Sequence, residues 1–262
     1  MQQRSGSNIS KPSWRCWRSH TGFFMGLPVQ ADGQAAWKAN KIIFINDVAF
    51  CAKDAVRLAS HEADLACGLD FAATPDFSDA HFYDTWVARD IDGSTFLPYF
   101  PFVSNPYSIQ RMRLGLPFPV KCCWNGMVAM SAAPFLRHGI RIRAHYPGEC
   151  KASECSLMCN DFLRLNYSNI IADPGVRLVY SSEAARLPFE PHVVEAPVTS
   201  WAEVVASPID QAMAVKQPLH QCCDLVEGAE KIQWGSGEDL CRWENYMVPN
   251  YTSSAATLQV IQ

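Results

Sequence analysis

The sequence predicts an α/β domain with a mostly parallel sheet, and three observations carry that reading. Lys41 to Cys51 reads KIIFINDVAFC, in which Ile42 to Ile45 is a short, continuous apolar run rich in β-branched residues. Such a run is expected of a strand buried on both faces, as in a parallel sheet. Helix-like and strand-like stretches then alternate: DAVRLASHE (Asp54 to Glu62) before ADLACG (Ala63 to Gly68), and SECSLMCNDFLRL before Ile170-Ile171. Finally, Asn46-Asp47 closes the first run, placing a carboxylate at the carboxyl end of a strand, where open α/β sheets bind ligands.

Each element follows in order. Residues 1 to 40 are locally basic and aperiodic, and are expected to be a poorly ordered leader. Lys41 to Ile45 is expected to be a central buried strand. Asp54 to Glu62 makes a short helix with Ala55, Leu58 and Ala59 on one face. Asp70 to Gly93, dense in Asp and aromatics, reads as a loop-like working surface. Thr95 to Pro119, with several prolines, reads as irregular. Val120 to Phe135 returns to sheet character around a Trp-Asn-Gly turn. Ser153 caps the clearest helix and Glu154 sits in its first turn. Cys155, Met158, Cys159, Phe162 and Leu165 form its apolar stripe. Ile170-Ile171, Asp173-Pro174-Gly175 and Val176 to Tyr180 read as strand, turn, strand. The expected organisation is a leader (1–40), a core (41–181) and a wrapping tail (182–262).

Composition narrows the function. The formal net charge of −4 lacks the basic footprint of a nucleic-acid protein. No apolar stretch of about 18 residues is present to span a membrane, and residues 1–40 hold no signal-peptide core. The 11 cysteines are an odd number, so one thiol at least is free or pairs with another chain.

Candidate chemistry clusters on carboxylates. A strand-end Asp47, a Trp124-Asn125-Gly126 turn and a helix opening at Glu154 are the order met in nucleotide-sugar transferases of the GT-A type. There a carboxylate-held Mg²⁺ or Mn²⁺ neutralises the diphosphate leaving group. Plainer readings stand beside each residue. Asp47 suits an Asx turn, and Glu154 suits the helix dipole. Asp161 suits a solvated helix edge, and Trp124 suits a core. Cys150, Cys155 and Cys159 match no common zinc spacing, which leaves buried thiols or a disulfide to Cys150.

The blocks FINDVAFC, ADLACGLDF, FYDTWVARDI, PFPVKCCWNGM, SECSLMCNDFLR and DPGVRLVY resemble, in order, those of the fungal cryptococcal-type α-1,3-mannosyltransferases. This is glycosyltransferase family 69, also labelled capsule-associated or polysaccharide export proteins. The resemblance runs from about Lys41 to Tyr180. It implies a GT-A-like (Rossmann-like) domain whose N-terminal part is missing here. It also implies a Golgi enzyme, on the lumenal side, moving mannose from GDP-mannose to a mannoside with retention, for cell-wall or capsule glycans. Asp47 matches the metal position. Asn46, Asp84, Arg89, Asp90, Trp124, Asn125 and Gly126 match donor- or acceptor-binding positions, and Glu154 and Asp161 catalytic ones. The implied cofactor is Mn²⁺ or Mg²⁺. The implied partners are GDP-mannose and a glycan acceptor, without nucleic acid, and a membrane only through an anchor absent from this chain. The alternative is a non-catalytic or truncated relative acting in polysaccharide assembly or export.

Overall fold

The computed structural model describes residues 40–146 and 149–187, and the backbone of residues 16–18, 219–223 and 241–245. Its elements are β1 (Cys16–Arg18), β2 (Lys41–Ile45), β3 (Ala49–Cys51), α1 (Ala52–Ser60), β4 (Leu65–Ala73), β5 (Ala80–Phe82), β6 (Arg89–Asp90), α2 (Pro106–Arg113), β7 (Phe118–Cys122), β8 (Met127–Ser131), α3 (Ala133–His138), α4 (Glu154–Arg164), β9 (Ile170–Val179), β10 (Leu219–Cys223) and β11 (Cys241–Asn245). The main sheet runs β1-β3-β9-β4-β8-β2, with β5 paired to β4 and β7 paired to β6 and β9. β10 and β11 form a separate antiparallel pair. No helix among the described residues is long and apolar enough to cross a membrane.

The sheet is mixed and mostly antiparallel, which corrects the mostly parallel expectation. Among the described strands, β4 and β9 are the one parallel pair. β7 and β8 are joined through a tight turn whose central residues, Asn125 and Gly126, both have positive φ (50° and 75°). The turn does not make a hairpin: β7 pairs antiparallel with β6 and β9, and β8 pairs antiparallel with β4 and β2. Parallel neighbours need a long crossover, and the β4-to-β9 connection is long enough to hold α4.

The strand expected at the centre lies elsewhere. β2 pairs only with β8 among the described strands and is half-buried along its length. Its apolar run packs one row on each core: Ile42 and Phe44 on the larger cluster, Ile43 and Ile45 on the smaller. The true centre is β4, LACGLDFAA, whose first seven residues are all buried. β8 and β9 flank it. Leu65, Cys67, Leu69 and Phe71 face the larger cluster, and Ala66 the smaller, which Leu58 of α1 covers. Gly68 is required by close approach, since a Cβ there would lie 2.6 Å from a Val176 methyl.

Other boundaries shift for stated reasons. β4 extends into the expected loop, and β5 and β6 lie within it. α2 occupies part of the stretch read as irregular, its start capped by Asn105, whose side chain accepts from the Tyr107 N–H at 3.0 Å. The expected Asp-Pro-Gly turn is absorbed into one continuous strand, β9. Its register against β4 shifts between Cys67 and Leu69, the kind of irregularity that tolerates a proline within a sheet. Asp173 is fully buried and turned toward α1. It accepts from Arg57 at 2.6 and 2.9 Å and from the Gly175 N–H at 2.9 Å, and pairs with His61 at 2.8 Å. A side chain at Gly175 would run into the Arg57 guanidinium at 2.5 Å. α4 is as expected: the Ser153 hydroxyl accepts from the Ser156 N–H, and Met158, Cys159 and Phe162 are buried. The leader and tail expectations fall mostly outside the described residues.

Two disulfides radiate from adjacent residues at the end of β7, Cys122 within it and Cys123 just after. Cys123 joins Cys67 on β4, and Cys122 joins Cys159 on α4. The stripe cysteine Cys159 is therefore bonded to Cys122, not Cys150, although Cys150 is itself disulfide-bonded. Cys155 is a free thiol. Replacing Cys122 and Cys159 together by Ala is expected to cost about 3 kcal/mol of stability, the usual scale for a structural disulfide. The midpoint of urea unfolding at neutral pH measures it.

Candidate active site

The carboxyl ends of β2, β4 and β9 and the β7–β8 turn meet at one edge of the sheet. At its centre is Asp70 of β4, fully buried. The Tyr180 hydroxyl donates to its Oδ2 at 3.0 Å, and the Asp84 N–H donates to its Oδ1 at 3.2 Å. The turn closes over it: a Cβ on Gly126 would stand 2.7 Å from Val48 and 3.4 Å from the Asp70 Cβ. Asn125 is fully buried and holds the turn in place, its side-chain amide donating to the Gly68 carbonyl at 2.8 Å. Its backbone N–H donates to Asp84 Oδ2 at 3.0 Å. The Val87 N–H donates to the other Asp84 oxygen at 3.3 Å.

Asp70 and Asp84 are thus neighbours in a poorly solvated place. Burial, and then the Asp84 charge, push the Asp70 carboxyl well above the usual carboxylate range, against the Tyr180 bond. Burial also pushes Asp84 up to about 6. Glu154 adds to that rise, while the Asn125 and Val87 amides and Arg89 oppose it. Glu154 is exposed at the start of α4, close enough for its charge to act on Asp84. Asp47 is exposed after β2, and its charge acts on Tyr83. The edge therefore gathers Asp47, Asp70, Asp84 and Glu154 into one acidic neighbourhood. Such a set can exchange a proton near neutral pH and attract cations.

The remaining expected residues divide. Asn46 stands at the site, its N–H donating to the Gly126 carbonyl at 2.9 Å. Trp124 is only 3% exposed and packs edge-on against Phe44 at 5.1 Å, so it supports the turn from within the core. Its indole N–H has no hydrogen-bond partner among the described residues. Arg89 is buried, donating to the Trp86 and Ala88 carbonyls at 2.7 and 2.9 Å while its charge faces Asp84. Asp90 is taken up away from the acidic set. It accepts from the Ser108 hydroxyl and from the Ile91, Ser104 and Asn105 N–H groups, fastening the start of α2. Asp161 is not brought to the site. It pairs with Arg143 at 2.7 Å and Arg164 at 3.3 Å in a network with Glu149. Sequence reasoning passed over Asp70, Tyr83 and Tyr180. The available signal was a carboxylate inside the apolar LACGLDFAA.

The chain belongs to the cryptococcal mannosyltransferase 1 family, whose model matches residues 27–161. It is 30% identical over 177 residues to the alpha-1,3-mannosyltransferase CMT1 of Cryptococcus neoformans var. neoformans serotype D. That match covers 60% of this chain and 37% of the relative, so the chain spans well under half of its relative's length. No solved structure matches it.

The Asp84 shift makes a stability prediction. The native carboxyl keeps its proton to about pH 6, while the unfolded one loses it near pH 4. Native chains therefore bind more protons between those values, and stability falls as pH rises through that window. The expected loss from this residue is about 2 kcal/mol between pH 4 and 7. Urea midpoints at both pH values should show a smaller difference in Asp84→Asn than in the wild type.

Proposed function

We propose that this chain carries the transfer site of a retaining α-1,3-mannosyltransferase, of GT-A-like arrangement, moving mannose from GDP-mannose to a mannoside acceptor. The observation that carries the reading is the fully buried Asp70 beside the partly buried Asp84, on which Glu154 acts, at one sheet edge of a chain in a mannosyltransferase family. The Cys67–Cys123 and Cys122–Cys159 bonds support folding in an oxidising lumen, such as that of the Golgi.

Retention needs the acceptor hydroxyl to approach the face from which the diphosphate departs, or a covalent intermediate. Both routes use a carboxylate near the anomeric carbon. In this proposal Glu154 is that group. Its helix is fixed by the Ser153 cap and by the Cys122–Cys159 bond, and such rigidity serves positioning. Asp84, held at about 6, is poised to accept or return a proton under neutral conditions. Asn125 and Gly126 hold the turn that closes this edge.

The donor set fits a hard divalent cation, being carboxylate oxygen throughout. Among the described residues no three His, Cys, Asp or Glu side chains could hold one ion together. In this proposal Mg²⁺ or Mn²⁺ would be held by one or two carboxylates and completed by substrate phosphates. Asp47 would hold the ion, whose chemistry is to neutralise charge on the departing diphosphate.

The test is mannose transfer from GDP-mannose to defined mannosides by the chain purified with its disulfides intact, with the product linkage read by NMR. Transfer forming an α-1,3 bond is expected. A folded chain that transfers nothing would instead favour the assembly-partner alternative. Asp47→Ala is expected to abolish the divalent-ion dependence along with turnover, while circular dichroism stays unchanged. Glu154→Gln is expected to lower kcat about 100-fold or more, the scale of a lost general acid–base group, with donor affinity nearly constant. Initial-rate kinetics separate the two parameters.

A further inference from the structure

We propose that Tyr83, backed by Tyr180, is the stacking platform for a neutral pyranose ring at the acidic edge. The proposal rests on the sugar-transfer reading above and gives its site a sugar-binding surface. Tyr83 is 40% exposed although it adjoins the buried Phe82 of β5 and the carboxylates of the site. Its ring centroid lies 4.5 Å from that of Tyr180. Tyr180 is anchored in turn by its hydroxyl on Asp70 at 3.0 Å. The Tyr83 backbone is pinned too, its N–H donating to the Asp70 carbonyl at 3.0 Å. An aromatic face is thus held open to solvent by two hydrogen bonds to one buried residue.

The surroundings select the ligand class. Burial, then Asp70, Asp84 and Asp47, keep the Tyr83 phenol protonated, so it remains a neutral donor with an electron-rich face. A ring presenting C–H groups packs on that face. Its hydroxyls are hydrogen-bond donors, and the neighbouring carboxylates are acceptors. A bare phosphate meets repulsion from the same carboxylates, so an uncharged hexose is the better occupant than a nucleotide. A tyrosine already fixed in place also loses little rotamer freedom on binding.

Ligand-observed NMR titration of the full chain with methyl α-D-mannopyranoside tests this. The wild type is expected to bind, and Tyr83→Ala to bind about tenfold more weakly, the scale of one lost aromatic stack. Tyr83→Trp, which keeps an aromatic face, should bind within about threefold of the wild type. Tyr99→Ala, at a tyrosine that is 57% exposed and is not part of the Tyr83–Tyr180 stack, should leave binding unchanged. Thermal melts verify that each variant is folded. Wild-type binding without loss in folded Tyr83→Ala overturns the platform, as does absence of binding to the wild type. Tyr83-dependent binding without transfer from GDP-mannose leaves the platform standing and removes the transferase reading. Transfer with the same acceptor KM in Tyr83→Ala does the reverse.

Discussion

One buried carboxylate dictates the edge of this sheet. Asp70 lies in the central strand with no exposed surface, and an uncompensated carboxylate in such a place costs several kcal/mol. Its compensation comes from separate parts of the chain. Tyr180 can reach it because β9 runs parallel beside β4, pairing Leu178 with Asp70. Asp84 contributes a backbone N–H yet brings a second acid. Gly126 is the residue that lets the β7–β8 turn pass over the Asp70 Cβ. Parallel pairing, turn chemistry and the tyrosine thus follow from accommodating a single group. Burial, with Asp84 acting on Asp70 and Glu154 on Asp84, raises both carboxyl pKa values, an arrangement found where charge is used.

The sequence was legible where local chemistry decides. The Ser153 cap, the stripe of α4, the β7–β8 strands around Trp-Asn-Gly and the helix over Leu58 all follow from spacing and turn preference. Strand direction was not legible. An apolar run such as KIIFI looks the same in a two-sided edge strand as in a parallel centre, because periodicity reports burial and not pairing. Pro174-Gly175 looked like a turn because nothing local announces that Arg57 and His61, more than 100 positions away in sequence, fix Asp173 inside a bulged strand. The site was legible in part. Asp47, Asp84, Asn125, Gly126 and Glu154 come to one edge, whereas Asp161 and Asp90 are held by Arg143 and by the start of α2. Asp70 was overlooked because the strand was taken to stop at Gly68, which left a core carboxylate in a supposed loop. Tyr83 and Tyr180 are aromatic neighbours only in three dimensions.

The fork at Cys122 and Cys123 has a consequence for how the chain matures. Four thiols allow three complete pairings, and here two of the four are adjacent in sequence. In one alternative the partners are exchanged, so that Cys122 takes Cys67 and Cys123 takes Cys159. That exchange shifts both attachments by a single residue, and one residue is the step that turns a strand's side chains to its other face. Choosing between isomers so close in loop length falls to thiol–disulfide exchange guided by the folded core. The pairing reached thereby bears on how the turn carrying Asn125 meets Asp70 and Asp84.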